Sequence, residues 1–421
     1  VDAEAAAGRL AEQLRSSLGS ESPQLVLWFG KGYGSRLSPV GAILRDRLAP
    51  AEPTSEEAAP VVVGSASEGG VIAGSAELQE ERFALVAMAL ASPKLRAYPF
   101  YSGNLGELPD LKRGGSWTSV SGGASPSVLA FFPIPQSSGG DPQAWVGSLD
   151  QVLGAASRVP TIVGGLPVGG HAFVDGESHA SGGSFGIALE LHEGSDATPA
   201  STSSGHLDAI VCQGAAPFGP WLEVTGVEGD HIVTSLNGRS PAEVLQPLIH
   251  GPDVPGEGYT MAGIFVDPMP AGSLPDAAMS AEIAAATLGG RPTCLVRPMH
   301  QFTPQGYLVL SPLTHAVPYT VGMQLQLHCY NRDLALQELR SRAEHDMALH
   351  GGRPPDAAVI ISCGARGVSL YGEEGVESRV LREVWGSDVP TVGIFAGGEF
   401  GPVGLKTYLH GFTTSCLLMR G

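Results

Sequence analysis

The sequence predicts an α/β to α+β fold built from repeated β-α-β-loop-β units, with mixed sheets and helices on their outer faces. Three observations predict it. First, one pattern occurs three times: a proline, a short β-branched run and a glycine-rich turn. It runs from Pro60 through Val61-Val62-Val63 to Gly69-Gly70, from Pro160 through Thr161-Ile162-Val163 to Gly169-Gly170, and from Pro390 through Thr391-Val392 to Gly397-Gly398. Second, each copy follows an apolar strand and a helical segment. Third, each is followed by another apolar run, starting at Phe83, Phe185 and Phe412. Glycine admits positive φ and close backbone approach, so three such turns are expected to line one shared cleft. The chain is long enough for more than one core, and two closely packed domains are expected, 1–238 and 239–421.

The elements follow in order. Ala3, Ala7, Leu10, Leu14 and Leu18 recur at helical spacing and predict a helix over 3–18. A strand is expected at 24–29, and Ser38-Pro39 opens a helix that runs to Leu48. Strands follow at 61–64, 83–90 and 95–101. The stretch 103–127 is rich in Gly and Ser and reads as a long loop. The second unit has a strand at 128–133, a helix from Asp141-Pro142 to Ala156, and strands at 161–163 and 185–191. A polar loop at 193–205 is followed by short strands at 209–213, 222–226 and 231–236. Asn237-Gly238 is a tight-turn signal ahead of a helix at Ser240-Pro241. An alanine-rich helix is expected at 277–288, then strands at 294–299, 307–310 and 321–330. Asn331 or Asp333 caps the longest helix, which ends at Gly351-Gly352. The third unit starts with the strand 357–363 and runs to the C-terminus.

Composition excludes several classes. The net charge of −18 disfavours nucleic acid and anionic membrane surfaces. No apolar run approaches the roughly 20 residues of a membrane helix, so a chain that does not span a membrane is expected. The five cysteines, Cys212, Cys294, Cys329, Cys363 and Cys416, are odd in number and scattered. That predicts free thiols and a reducing compartment: the cytoplasm, or an organelle stroma such as the chloroplast's if a targeting peptide has been removed. His328 and Cys329 are adjacent on one strand and point to opposite faces, so they do not share a metal; no metal site is expected. No P-loop, dinucleotide fingerprint or catalytic triad signature is present.

Several blocks of sequence, in order, resemble the FIST family (F-box and intracellular signal transduction). Val359-Ile360-Ile361-Ser362-Cys363-Gly364-Ala365-Arg366-Gly367 is similar to the family's strand ending in Ser-Cys-Asn-Gly-Arg-Gly. Phe395-Ala396-Gly397-Gly398-Glu399-Phe400-Gly401-Pro402 is similar to its later Gly-Glu-Ile-Gly-Pro. Gln213-Gly214-Ala215-Ala216-Pro217-Phe218-Gly219-Pro220 is similar to its Gln-Gly-Cys-Arg-Pro-Ile-Gly-Pro block. Two departures stand out: the motif's Asn is replaced at Gly364 or Ala365, and its Cys-Arg pair by Ala215-Ala216. The resemblance implies FIST N-like and FIST C-like domains and a small-ligand-binding or sensory module in signal transduction, not an enzyme.

The candidate ligand-binding residues are Cys363, Arg366, Gly367, Gly397, Gly398, Glu399, Gly401 and His410. They sit where strands of the third unit end, the place where layered α/β folds bind ligands. A guanidinium there suits a carboxylate, which it grips through two parallel hydrogen bonds. The resemblance points to a small ligand such as an amino acid. A competing reading is an accessory or scaffold subunit bound to a protein partner, with a vestigial pocket. A third is a thiol enzyme using Cys363, which needs a histidine base nearby. No cofactor is expected. Haem is the one group the resemblance brings into view, through His410, for which a polar contact is the plainer role.

Overall fold

The computed structural model describes residues 2–50, 59–122, 127–134, 140–154, 160–179, 183–191, 206–265, 294–311, 318–404 and 406–421. The expected helix at 277–288 and loop at 193–205 lie outside them. The chain is a mixed α/β structure of three sheets and a barrel. The three units are there, and each has the same core. In the first, β1 (Leu25–Lys31) leads through α2 (Val40–Leu48) to the parallel β2 (Val61–Ala66), with β5 (Ala84–Leu90) antiparallel beside β1. In the second, β7 (Ser127–Phe131), α4 (Pro142–Gly154), β8 (Thr161–Gly165) and β11 (Ser184–Leu191) repeat it. In the third, β19 (Ala357–Cys363) passes through two short helices, α7 (Gly367–Tyr371) and α8 (Val376–Trp385). Its parallel partner is β20 (Thr391–Ala396), and β23 (Thr414–Arg420) is antiparallel. Pro60, Pro160 and Pro390 stand just before β2, β8 and β20, where the missing N–H interrupts no ladder.

What the sequence reads as a loop in each unit is a short hairpin: β3–β4 (Val71–Ala73, Ala76–Leu78), β9–β10 (Ala172–Val174, Glu177–His179) and β21–β22 (Glu399–Val403, Lys406–His410). None stays in its own sheet. The first unit's hairpin pairs with β20, the second's with β2, and the third's with β8. The exchange closes a ring of three. β6 (Leu95–Ser102) and β12 (His206–Cys212) add edge strands on β11 and β23.

Alternation along the strands divides the core. Leu25, Leu27 and Phe29 of β1, Leu129 and Phe131 of β7, and Val359 and Ile361 of β19 meet in one central cluster walled by all three sheets. The opposite faces carry helices. Val26 and Trp28 pack under α1 (Ala3–Leu18) and α2; Val128 and Ala130 pack under α4; Ala358 and Ile360 pack under α8 and the long α6 (Arg332–Leu349). Within the stretch expected as a loop, α3 (Trp117–Gly122) forms instead. Tertiary contact decides it: Val120 is buried, and the Trp117 indole stands 5.6 Å from Phe100 and donates to the Pro109 carbonyl. Asn331 does cap α6, accepting from Leu334 N.

The barrel interrupts the third repeat and is not legible as such in the sequence. β13 (Ala215–Glu228), β14 (Ile232–Leu236), β17 (Leu308–Leu310), β16 (Cys294–Phe302), β15 (Tyr259–Phe265) and β18 (Gln324–Tyr330) close on themselves. The expected boundary at 238/239 falls just after β14. Leu245 of α5 (Pro241–Ile249) joins the barrel core, as do Val403 and Tyr408 from the exchanged hairpin β21–β22.

The exchange is latched by caps. The carboxylate of Glu77, on β4 of the first unit, accepts from Gly375 N at 3.1 Å and Ser378 N at 2.7 Å at the start of α8 in the third. Glu374 returns the favour at Gln79 N and Glu80 N. Glu77 is 1% exposed, so a truncated side chain leaves buried N–H groups unpaired. We expect Glu77→Ala to cost about 1–3 kcal/mol, read as a shifted denaturation midpoint. An unchanged midpoint would show that the hairpin holds without this latch.

Candidate functional site

The third unit concentrates the chain's buried polar groups. β19 ends at Cys363, and the chain turns through Gly364-Ala365 into α7, whose N-cap is Arg366. That side chain is fully buried. Its Nε donates to Glu377 Oε1 at 2.5 Å, its Nη1 to the Phe412 carbonyl at 3.0 Å, and its Nη2 to Tyr371 Oη at 3.0 Å and Cys212 Sγ at 3.7 Å. Glu377 in turn accepts from Tyr371 Oη at 2.7 Å, Ser362 Oγ at 2.9 Å and Thr414 Oγ1 at 2.8 Å. Burial opposes the charge on Glu377, but Arg366 and these hydroxyls outweigh it and hold its pKa below the ordinary value.

Residues distant in sequence converge here. Gly214, from the middle motif block, has φ +72°, and a Cβ on it would lie 2.6 Å from Arg366 Nη1. Its N–H donates to Glu338 of α6 at 2.6 Å. Gln213 ties the same turn to the barrel, donating to the Cys294 carbonyl and accepting from Val296 N. Cys212, Tyr371 and Glu377 are the members of this constellation that the sequence reading missed. An acid ten or so residues after the arginine, in a helical segment, was the only signal.

Glu399 forms a second buried pair, with the Cys363 thiol. Its carboxyl is fully buried; Oε2 accepts a long bond from Thr413 N at 3.4 Å. Burial drives its pKa well above the usual carboxylate range. Burial, then the Glu399 charge, push the Cys363 thiol up to about 12. A thiol so placed is protonated at neutral pH, and the described groups that shift it include no histidine. His410 pairs across the hairpin with Glu399. Its Nε2 faces the Gly401 carbonyl at 3.1 Å, so that nitrogen carries the proton. Burial pushes its pKa down to about 3. The ring is 3% exposed, so a haem would reach it only if the packing around it opened.

Of the eight residues expected to bind ligand, only Gly397 is exposed; Cys363, Arg366, Gly367, Gly398, Glu399, Gly401 and His410 are buried. The glycine turns do meet, but they meet one another. Glu68 N donates to the Val168 carbonyl, Leu166 N to Gly398, and Phe395 N to Gly70. A Cβ on Gly69 would stand 2.5 Å from the Phe395 carbonyl, so close backbone approach accounts for that glycine.

An open cavity of about 490 Å³ lies elsewhere, at the N-terminal ends of β1 and β2. Ser22, Gln24, Ala59, Arg96, Tyr98 and Arg113 are among its lining residues. Arg113 grips Asp175 with two bonds, at 3.0 and 2.6 Å, and donates to the carbonyls of Ala59 and Pro60. Both members of that ion pair have positive φ, 58° and 54°, a conformation non-glycine residues rarely hold. Arg96 is exposed, and its guanidinium makes no hydrogen bond or ion pair among the described residues.

Comparison with known proteins fits the motif reading. Residues 272–402 match the family model of the FIST C domain. An uncharacterised protein of Mycobacterium tuberculosis is 26% identical over 431 residues, covering 99% of this chain and 96% of that protein. An uncharacterised protein of Mycobacterium bovis is 29% identical over 218 residues, half of this chain and 49% of that one. No described helix is long and apolar enough to cross a membrane.

Arg366→Ala leaves Glu377 charged and unpaired in the interior. Breaking one partner of a buried pair costs about 3–5 kcal/mol, so the variant should unfold at much lower denaturant than the wild type. Glu399 gives the opposite sign. A carboxyl whose folded pKa lies above its unfolded one loses stability as pH rises from about 4.5 toward the raised value. Glu399→Gln should therefore flatten the decline in stability on the alkaline side of pH 5. Denaturation curves across that range that stay parallel for the two proteins would contradict this.

Proposed function

We propose that this chain is a small-ligand-binding sensory module of signal transduction, acting by binding and not by catalysis, and that its ligand occupies the cavity between the starts of β1 and β2, β6 and Arg113. The cavity itself carries the reading. Its volume lies in the range of small-molecule sites, roughly 300–1,000 Å³, whereas the polar cluster around Arg366 is closed and satisfied internally. The Arg113–Asp175 pair holds one wall in place before any ligand arrives, which lowers the cost of ordering a site. Arg96 brings a guanidinium whose hydrogen-bonding capacity is uncommitted among the described residues. Small carboxylates, free amino acids among them, suit such a wall. The FIST C domain supports a sensory role, and the high pKa of Cys363 disfavours thiol catalysis.

The test is calorimetric titration of the whole chain with free L-amino acids and small dicarboxylates. Loss of one charge-assisted contact weakens binding by about 1.5–3 kcal/mol, roughly 10- to 100-fold. Arg96→Ala should lose affinity on that scale with an unchanged melting temperature. Hydrogen exchange should show protection at 95–98 and 113–114. Protection at 363–367 and 397–401 instead would move the ligand to the third unit. No binding to the wild type would remove the proposal.

A further inference from the structure

One wall of the cavity is the free edge of a sheet. β6 ends its sheet and pairs with β11 on one side only. In an antiparallel ladder, residues alternate between those that turn N–H and C=O toward the partner strand and those that turn them away. Two bonds fix the phase here. Lys112 N donates to the Pro99 carbonyl at 2.9 Å, and Leu95 N donates to the Ser92 carbonyl at 3.0 Å, both away from β11. The odd-numbered residues of β6 therefore turn their backbone groups outward.

Ala97 lies between those two bonds. Its N–H and C=O, and the C=O of Leu95, make no hydrogen bond among the described residues. Both residues are buried and both line the cavity. Buried backbone donors and acceptors are nearly always paired, so these three groups are offered to whatever occupies the cavity. The opening has defined ends. Pro99 has no N–H and its carbonyl is taken, and the Leu95 N–H is taken as well. Pro and covering segments are how natural sheets blunt an edge. Here the blunting stops at 95–97. Arg96 stands in the middle of this stretch, with its guanidinium uncommitted among the described residues.

We propose that the ligand is a short peptide of about three residues, bound extended along the outer edge of β6 as an added strand, with its carboxylate on Arg96. This deepens the reading of the cavity as the ligand site and rests on it. An open carbonyl at Leu95 and another at Ala97 call for two N–H donors, which a dicarboxylate lacks. A free amino acid can satisfy Ala97 but does not reach Leu95 as well. In either strand direction, bonding to these three groups uses the N–H groups of the first and third peptide residues and turns the second away.

The test is calorimetric titration of the whole chain with tri-L-alanine, free L-alanine and succinate. The tripeptide should bind tightest of the three. Loss of one neutral hydrogen bond weakens binding about 2- to 10-fold. N-methylation of the third residue should cost that much, and N-methylation of the second should leave affinity unchanged. Ala97→Pro removes an N–H that serves no ladder bond, so it should keep the wild-type melting temperature and lose affinity for the tripeptide on the same scale. Should that variant not fold, the two methylated peptides decide the matter on the wild-type chain. Equal effects of the two methylations would overturn the proposal. Succinate or L-alanine binding as tightly as the tripeptide would overturn it and leave the cavity reading standing. Binding of none of the three would overturn both.

Discussion

The buried ion pair between Arg366 and Glu377 is the constraint around which the third unit is arranged. A guanidinium with no exposure is costly unless every donor finds a partner. Its partners come from α7, α8, the turn before β23 and the last residue of β12. Each of those elements must arrive in its native place before the charge is compensated. The pair is thus less a source of net stability than a check on assembly, because a misplaced element leaves a charge unpaired. The turn at Gly214 belongs to the same check, since any side chain there meets the guanidinium.

The exchange of hairpins extends this interdependence to the whole chain. Each sheet borrows strands from another unit, so no unit completes its own hydrogen-bond ladder. The central apolar cluster draws on all three sheets at once. Dividing the three-sheet body would expose both edge strands and core, and its parts are expected to unfold together. The barrel attaches to this body through Gln213 and through the β21–β22 hairpin, which places Val403 and Tyr408 in the barrel's own core.

Much of the third unit's polar site was legible, but its role was not. The motif residues Ser362, Cys363, Arg366 and Glu399 do converge, as adjacent strand ends require. The sequence does not reveal that Arg366 meets an internal carboxylate, since Glu377 reads as an ordinary surface acid of an amphipathic helix. The cavity was invisible for a related reason. Its lining combines Gln24, Ala59, Arg96 and Arg113, which share no spacing in the chain.

The sequence by itself determined the repeated unit, the strand and helix periods, the capping of α6 and α4, and the free thiols. These rest on local chemistry: alternation, glycine and proline geometry, and short-range hydrogen bonds. All five cysteines are indeed free. Tertiary structure alone decided where each hairpin pairs, that six strands close into a barrel, and which charges are buried. Those outcomes depend on contacts between residues far apart in the chain. A three-residue strand such as β3 or β9 has no periodicity long enough to read, and its partner is chosen by the sheet edge it meets.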